Sequence, residues 1–217
     1  MLLMYCIPIL LSISLVFSQN EGKDEWKLIK HSDEIKVYIK EESKNSDYVN
    51  IRATTESEGS LEAFATIMHD VPNYKNWMHS VEETYIVEEE SNYHFSYYML
   101  TNFPWPTKDR DVVLNMKFEW LPEEETFITH SKEKEGLVSE KNNIVRIQKV
   151  NASYSFTRQR NNNIRIEYKG KINPGVQLPD WIMEKVYHIA PYNTLKNLRQ
   201  IVQKYQDKDT NFNFDEI

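Results

Sequence analysis

The chain has 217 residues, 40% of them apolar, and a net charge of −7, which suffices for one sizeable core and forces no second domain. The acidic balance weighs against a nucleic-acid binder, which needs clustered Lys and Arg to neutralise phosphates, and against a polybasic anchor on anionic lipid. Its single cysteine, Cys6, falls in the N-terminal leader, so the remaining chain folds without a disulfide.

Residues 1–18 carry no charge and end at Val16-Phe17-Ser18, a small-residue cleavage site, before polar Gln19 and Asn20. This reads as a secretory signal and predicts export to a periplasmic or extracellular space; an uncleaved N-terminal membrane anchor is the alternative. Residues 19–25 read as a disordered leader, 26–206 as the folded domain and 207–217 as a polar tail. Strands are predicted near 26–30, 34–41 and 47–56, joined as a meander. Ser60 then precedes the apolar stripe Leu61, Phe64, Ala65 and Met68, an N-cap followed by a helix that Pro72 ends, with a second short turn from Tyr74 to Trp77.

Six more strands follow near 81–89, 92–101, 110–120, 125–132, 144–158 and 163–172. The clearest carries Val112, Leu114, Met116, Phe118 and Trp120 on one face and Val113, Asn115, Lys117 and Glu119 on the other. In the last, Ile164, Ile166, Tyr168 and Ile172 alternate with charged residues. Beyond Pro179 the period changes: Ile182, Val186, Ile189, Leu195, Leu198, Val202 and Tyr205 describe one long amphipathic helix, with a kink expected at Pro191. Nine antiparallel strands with helices on one side make an α+β protein.

Three segments carry a family resemblance. They are Trp26 with Ile35-Lys36-Val37-Tyr38, then Pro104-Trp105-Pro106-Thr107-Lys108-Asp109-Arg110-Asp111, and finally Asn173-Pro174-Gly175-Val176-Gln177-Leu178-Pro179-Asp180-Trp181. Together they resemble the steroidogenic-acute-regulatory-related lipid-transfer, or START, domains over roughly Trp26 to Tyr205. The resemblance implies the helix-grip form of the α+β class, a curved nine-stranded sheet wrapped around the long C-terminal helix. It also implies an internal tunnel for a lipid or sterol-like hydrophobic ligand, bordered by the 102–109 loop and the last helix, with transient membrane contact and no cofactor; a monomer is expected, and no pair of His or carboxylates shows metal-ligand spacing with a convincing third member.

Candidate lining residues are Trp77 from the short turn and Tyr97, Met99, Phe156 and Tyr168 from the strands, with Met183 and Val186 on the last helix. Aromatic hydroxyls among aliphatic and sulfur side chains suit a large apolar ligand with one polar end, although the same alternation describes a filled core. Trp105 either dips into a membrane interface or packs back on Met183 or Tyr187 as a lid. Arg110 either pairs with a carboxylate across the sheet or meets a lipid headgroup, because a buried charge needs a partner. Arg146 is a candidate polar contact in the cavity or a solvated residue.

An enzyme on the same fold, of cyclase or hydrolase type, is the main functional alternative, and an interaction module with a filled core is the other. No Gly-x-Ser-x-Gly, His-Glu-x-x-His, Cys-x-x-Cys or phosphate-loop motif occurs. His188 on the last helix is the best acid/base candidate and lacks an identifiable partner.

Overall fold

A computed structural model describes residues 25–40, 48–173, 179–206 and 212–217. The predicted signal, most of the leader and the Pro174–Leu178 part of the turn into the last helix lie outside these residues. The strands are β1 (Lys27–Ser32), β2 (Ile35–Lys40), β3 (Val49–Ser57), β4 (Val81–Ser91), β5 (His94–Thr101), β6 (Arg110–Leu121), β7 (Thr126–Glu133), β8 (Val145–Arg146), β9 (Lys149–Arg158) and β10 (Ile164–Asn173). Nine of them form one antiparallel path, β1-β2-β3-β10-β9-β7-β6-β5-β4, and β8 pairs in parallel with the start of β6. Register shifts fall in the two edge pairs, β1–β2 and β4–β5, where bulges twist an edge away from further pairing.

The single strand expected over 144–158 is two. Val145 and Ile147 donate their N–H groups to the carbonyls of Asp109 and Asp111, both at 2.9 Å. That draws the 145–147 stretch onto the start of β6 before the chain turns into β9.

Helix α1 (Leu61–His69) begins at Ser60, whose hydroxyl accepts from Ala63 N at 3.1 Å. It seats Leu61, Phe64, Ala65, Ile67 and Met68 in the core. A 3₁₀ turn over Val71–Asn76 follows and delivers Trp77. The last helix starts as α2 (Asp180–Glu184), widens into a π turn over Lys185–Ile189 and continues as α3 (Ala190–Ile201). The kink expected at Pro191 thus takes the form of a π turn just ahead of it, with Ala190 N–H bonded to Lys185 O. Proline lacks an N–H and its ring crowds the carbonyl four residues back, which here is Tyr187; opening the preceding turn relieves that contact.

The helix is held at both sides of the sheet. On one side Tyr192 Oη and Lys196 Nζ donate to Asp33 in the β1–β2 turn at 2.5 and 2.9 Å, and Arg199 Nη1 donates to the Asp33 carbonyl at 2.6 Å. On the other, Asn197 Nδ2 donates to Trp77 O at 3.0 Å and Thr194 Oγ1 accepts from His79 N at 3.1 Å. Leu195, Leu198 and Val202 enter the core between these clasps. Residues 212–217 depart from the polar tail expected of the sequence. Phe212 lies against Tyr93, Phe118 and Phe127, while Phe214 stacks on Trp120 at 4.6 Å between ring centres.

Candidate functional site

Strand register divides the inner face of the sheet into transverse rows. At the end closed by α1 and the tail, Phe127 opposes Phe156, which opposes Ile166, and Phe64 stacks on Phe156 at 4.9 Å. That row is filled. Phe156 is therefore a packing residue between Phe64 and Phe127, not a lining one.

The next inward row is Thr129–Tyr154–Tyr168–Ala53 across β7, β9, β10 and β3. Tyr154 and Tyr168 lie 4.9 Å apart between ring centres, and Trp77 approaches Tyr154 edge-on at 6.4 Å. Toward the far end, the row after that is Ser131–Ala152–Gly170–Ile51. Three adjacent strands thus present a hydroxymethyl, a methyl and a hydrogen where the filled row presents two phenyl rings and an isoleucine.

The tyrosines carry the clearest signature. Tyr154 and Tyr168 are only half-buried, yet desolvation pushes the Tyr154 hydroxyl well above its ordinary range and that of Tyr168 up to about 12. Tyr97, on the adjoining part of the inner face, is buried and is raised by desolvation, with Ser131 acting in the opposite direction. Two inner-face polar atoms, Trp77 Nε1 and Thr129 Oγ1, are buried without a partner. On the helix side Met183, Val186 and Tyr187 are half-buried; Tyr187 Oη contacts Met183 Sδ at 3.3 Å and is pushed up to about 12 by burial. Met99 is half-buried on the inner face of β5, opposite Val112.

Arg110 shares the inward face of β6 with Val112 and Leu114 and is 2% exposed. The carboxylate partner expected across the sheet is not among the described residues. Its guanidinium instead stacks on Phe103 at 4.4 Å, donates through Nη1 to the Lys108 carbonyl, and leaves Nε without a partner. Burial lowers its pKa, with Asp109 acting in the opposite direction. Asp109 Oδ1 accepts from Phe103 N at 2.9 Å, closing the 102–109 loop on itself.

Arg146 is the residue that pairs. Its Nε and Nη2 donate to Asp111 Oδ1 and Oδ2 at 2.7 and 3.0 Å, and Nη1 donates to Val138 O at 3.0 Å. Asp111 belongs to the outer face of β6, so Arg146 is directed away from the inner face and not into a cavity. It helps line an outer cleft of ≈ 370 Å³ with Glu140, Gln148 and Lys149, and Lys149 is itself paired with Glu133 at 3.5 Å. Trp105 is 88% exposed, which excludes the packed-lid arrangement. Trp181 is 43% exposed under Lys185 Nζ at 5.3 Å. No group of three or more His, Cys, Asp or Glu among the described residues could hold a metal ion.

A family model described as the START domain matches residues 15–208. An uncharacterized protein of Pseudomonas aeruginosa is 26% identical over 185 residues, covering 85% of this chain and 90% of its own length. Among solved structures, a STAR-related lipid transfer protein from Xanthomonas axonopodis superposes with a TM-score of 0.74 at 20% identity, covering 83% of this chain and 99% of that one. Human StAR-related lipid transfer protein 5 gives 0.69 at 15% identity, with 87% and 90% coverage. Human STARD10 gives 0.67 at 18%, with 83% and 74% coverage. These likenesses show the helix-grip fold.

Proposed function

We propose a carrier function for this chain, which belongs to the START domain family. Membership implies binding of a lipid or other hydrophobic ligand; the finer reading is that the ligand occupies an internal tunnel between the sheet and the last helix and is moved between membranes. The observation that carries this reading is the state of Tyr154 and Tyr168. They keep water-sized access on the inner face while being surrounded by enough protein to raise both hydroxyls. Accessible surface inside a desolvated shell belongs to an internal space, and the small row Ser131–Ala152–Gly170 beside it accommodates the Tyr168 ring, whose hydroxyl lies over Gly170.

The π turn supports a gate on the helix side. It contributes Val186 and Tyr187 to the inner boundary and interrupts the regular hydrogen-bond ladder at a single place. On the loop side, Arg110 latches the 102–109 segment through Phe103 and the Lys108 carbonyl. Trp105 and Trp181 are the exposed large aromatics of the loop and of the helix start, and amphipathic rings of this kind suit the membrane–water interface. Opening would separate loop and helix at a membrane surface, and closure would shield the ligand. Each buried methylene then contributes about 0.8 kcal/mol to retention. In this reading Trp77, Tyr97, Met99, Tyr168, Met183 and Val186 border the tunnel, and no residue is assigned a catalytic role. The chain works as a monomer after export, with residues 1–18 as its signal.

The test is a transfer assay: donor vesicles carrying a fluorescent lipid are mixed with acceptor vesicles, with and without the protein. Protein-dependent transfer, slowed when the exposed Trp105 is replaced by alanine, is the expected result. Transfer no faster than the spontaneous rate, with no lipid retained by the re-isolated protein, contradicts the proposal.

A further inference from the structure

The inner row offers a ligand hydrogen-bonding groups that are all uncharged. Thr129 Oγ1 and Trp77 Nε1 are buried with no partner, and the Tyr154 and Tyr168 hydroxyls make no hydrogen bond to another described residue. Thr129, Tyr154 and Tyr168 are consecutive across β7, β9 and β10, and Trp77 meets Tyr154 edge-on. Two buried polar groups left unmade, beside two half-buried tyrosines whose hydroxyls no described residue satisfies, are more than a filled core carries, because each buried group left unmade is costly and native proteins satisfy nearly all of them. A polar group brought by a ligand accounts for the cluster.

The chemistry of that group follows from what surrounds it. Tyrosine and threonine hydroxyls and an indole N–H give donors, and the hydroxyls accept as well. An ionised headgroup seated there would lose its hydration and find no counter-ion. The cation on the inner face of β6, Arg110, is remote. Thr129 pairs with Phe118, eight positions along β6 from Arg110, about 26 Å at the rise of a strand. Arg110 is in any case occupied by Phe103 and the Lys108 carbonyl.

We propose that the ligand is an uncharged lipid whose polar end is a hydroxyl or carbonyl group, as in a sterol alcohol or a glyceride, seated polar end first against Tyr154, Tyr168, Thr129 and Trp77. This rests on the carrier reading and narrows it. The apolar part of the ligand then extends past the Tyr168 ring, whose hydroxyl lies over Gly170, toward the helix. Both tyrosine hydroxyls are protonated and uncharged across the physiological range, and desolvation only moves them further from ionisation.

The experiment incubates the protein with phosphatidylcholine vesicles doped separately with cholesterol, dioleoylglycerol, oleic acid or phosphatidylglycerol, and identifies bound lipid by native mass spectrometry after re-isolation. Cholesterol or dioleoylglycerol should be retained in preference to oleate, phosphatidylglycerol and the phosphatidylcholine itself. The Tyr154→Phe/Tyr168→Phe variant, which keeps both rings, should lose about tenfold or more of that retention. The single variants, each expected to lose about threefold, keep the test decisive should the double variant misfold. Preferential capture of oleate, phosphatidylglycerol or phosphatidylcholine overturns the inference and leaves the carrier reading standing, as does a tyrosine variant that retains uncharged lipid as well as the parent protein. Capture of no lipid from any vesicle overturns the carrier reading and this inference with it.

Discussion

Replacing Gly170 by alanine separates a lined space from a filled core. A Cβ at this buried position would stand 2.4 Å from Tyr168 Oη and 2.9 Å from its Cζ, so the ring must swing away. In a filled core it would have nowhere to go, and overpacking of this kind costs about 1–3 kcal/mol or more. Beside an internal space the ring turns into it at about 0.5–1.5 kcal/mol of rotamer strain. The gain from replacing a glycine within a strand, about 0.5–1 kcal/mol, offsets much of that. Stability should therefore stay within about 1 kcal/mol of the parent protein in urea denaturation. Lipid retention should fall, because the displaced ring takes ligand space and withdraws its hydroxyl from the row; one lost hydrogen bond is worth about three- to twelvefold in affinity. Destabilisation by about 3 kcal/mol or more, with normal folding restored by Tyr168→Ala in the same background, would rule out an internal space here, because it would show the Tyr168 ring packed on all sides.

Asp33 ties the β1–β2 turn to the last helix, and its hydrogen bonds from Tyr192 and Lys196 hold its pKa below the ordinary 3.8. A depressed carboxylate contributes stability above its unfolded value and loses it as pH falls through the folded one. Melting temperatures of Asp33→Asn and the parent should thus differ at neutral pH and converge in acid below about pH 3.8; a constant difference across that range would count against the clasp. Arg146→Ala strands Asp111, which is 1% exposed, and should cost on the order of 3 kcal/mol in urea denaturation. A loss within about 0.5 kcal/mol would mean that the pair is solvated. Trp105→Ala should leave stability unchanged to within about 0.5 kcal/mol and weaken co-sedimentation with vesicles. Unaltered vesicle binding would remove Trp105 from the membrane-facing surface.

Local patterns reached the elements whose partners are near in sequence. Ser60 was legible as a cap because its acceptor role is met three residues on, and β6 because its alternation is unbroken over the inner positions Val112 to Phe118. What escaped depends on distant partners. The division of 144–158 turns on Asp111, to which Arg146 is bound across 35 positions, and the same pair exchanged the expected roles of Arg110 and Arg146. Pro191 marked where the last helix departs from regularity, and the crowding of Tyr187 by its ring is relieved by a π turn just ahead of it.

The candidate site was legible by half. Tyr97 and Tyr168 stood out as aromatic hydroxyls in alternating strands, whereas Tyr154 and Thr129 join them only once β7, β9 and β10 are set in register. Tyr154 alternates with Phe156 and carries the same local signal; only the row assigns one to the lining and the other to the core. Gly170 and Ala152 were silent because absent side chains shape the site. The docking of Phe212 and Phe214 was hidden by the charged residues around them.

A carrier built on this fold holds its hydrophobic ligand inside. Native mass spectrometry of the protein purified without detergent from its own host would show that ligand. The predicted result is one chain carrying one uncharged lipid, released by organic solvent and identifiable in the extract. A bare chain that also takes up no lipid from vesicles would contradict the claim and return the interior to a packed core.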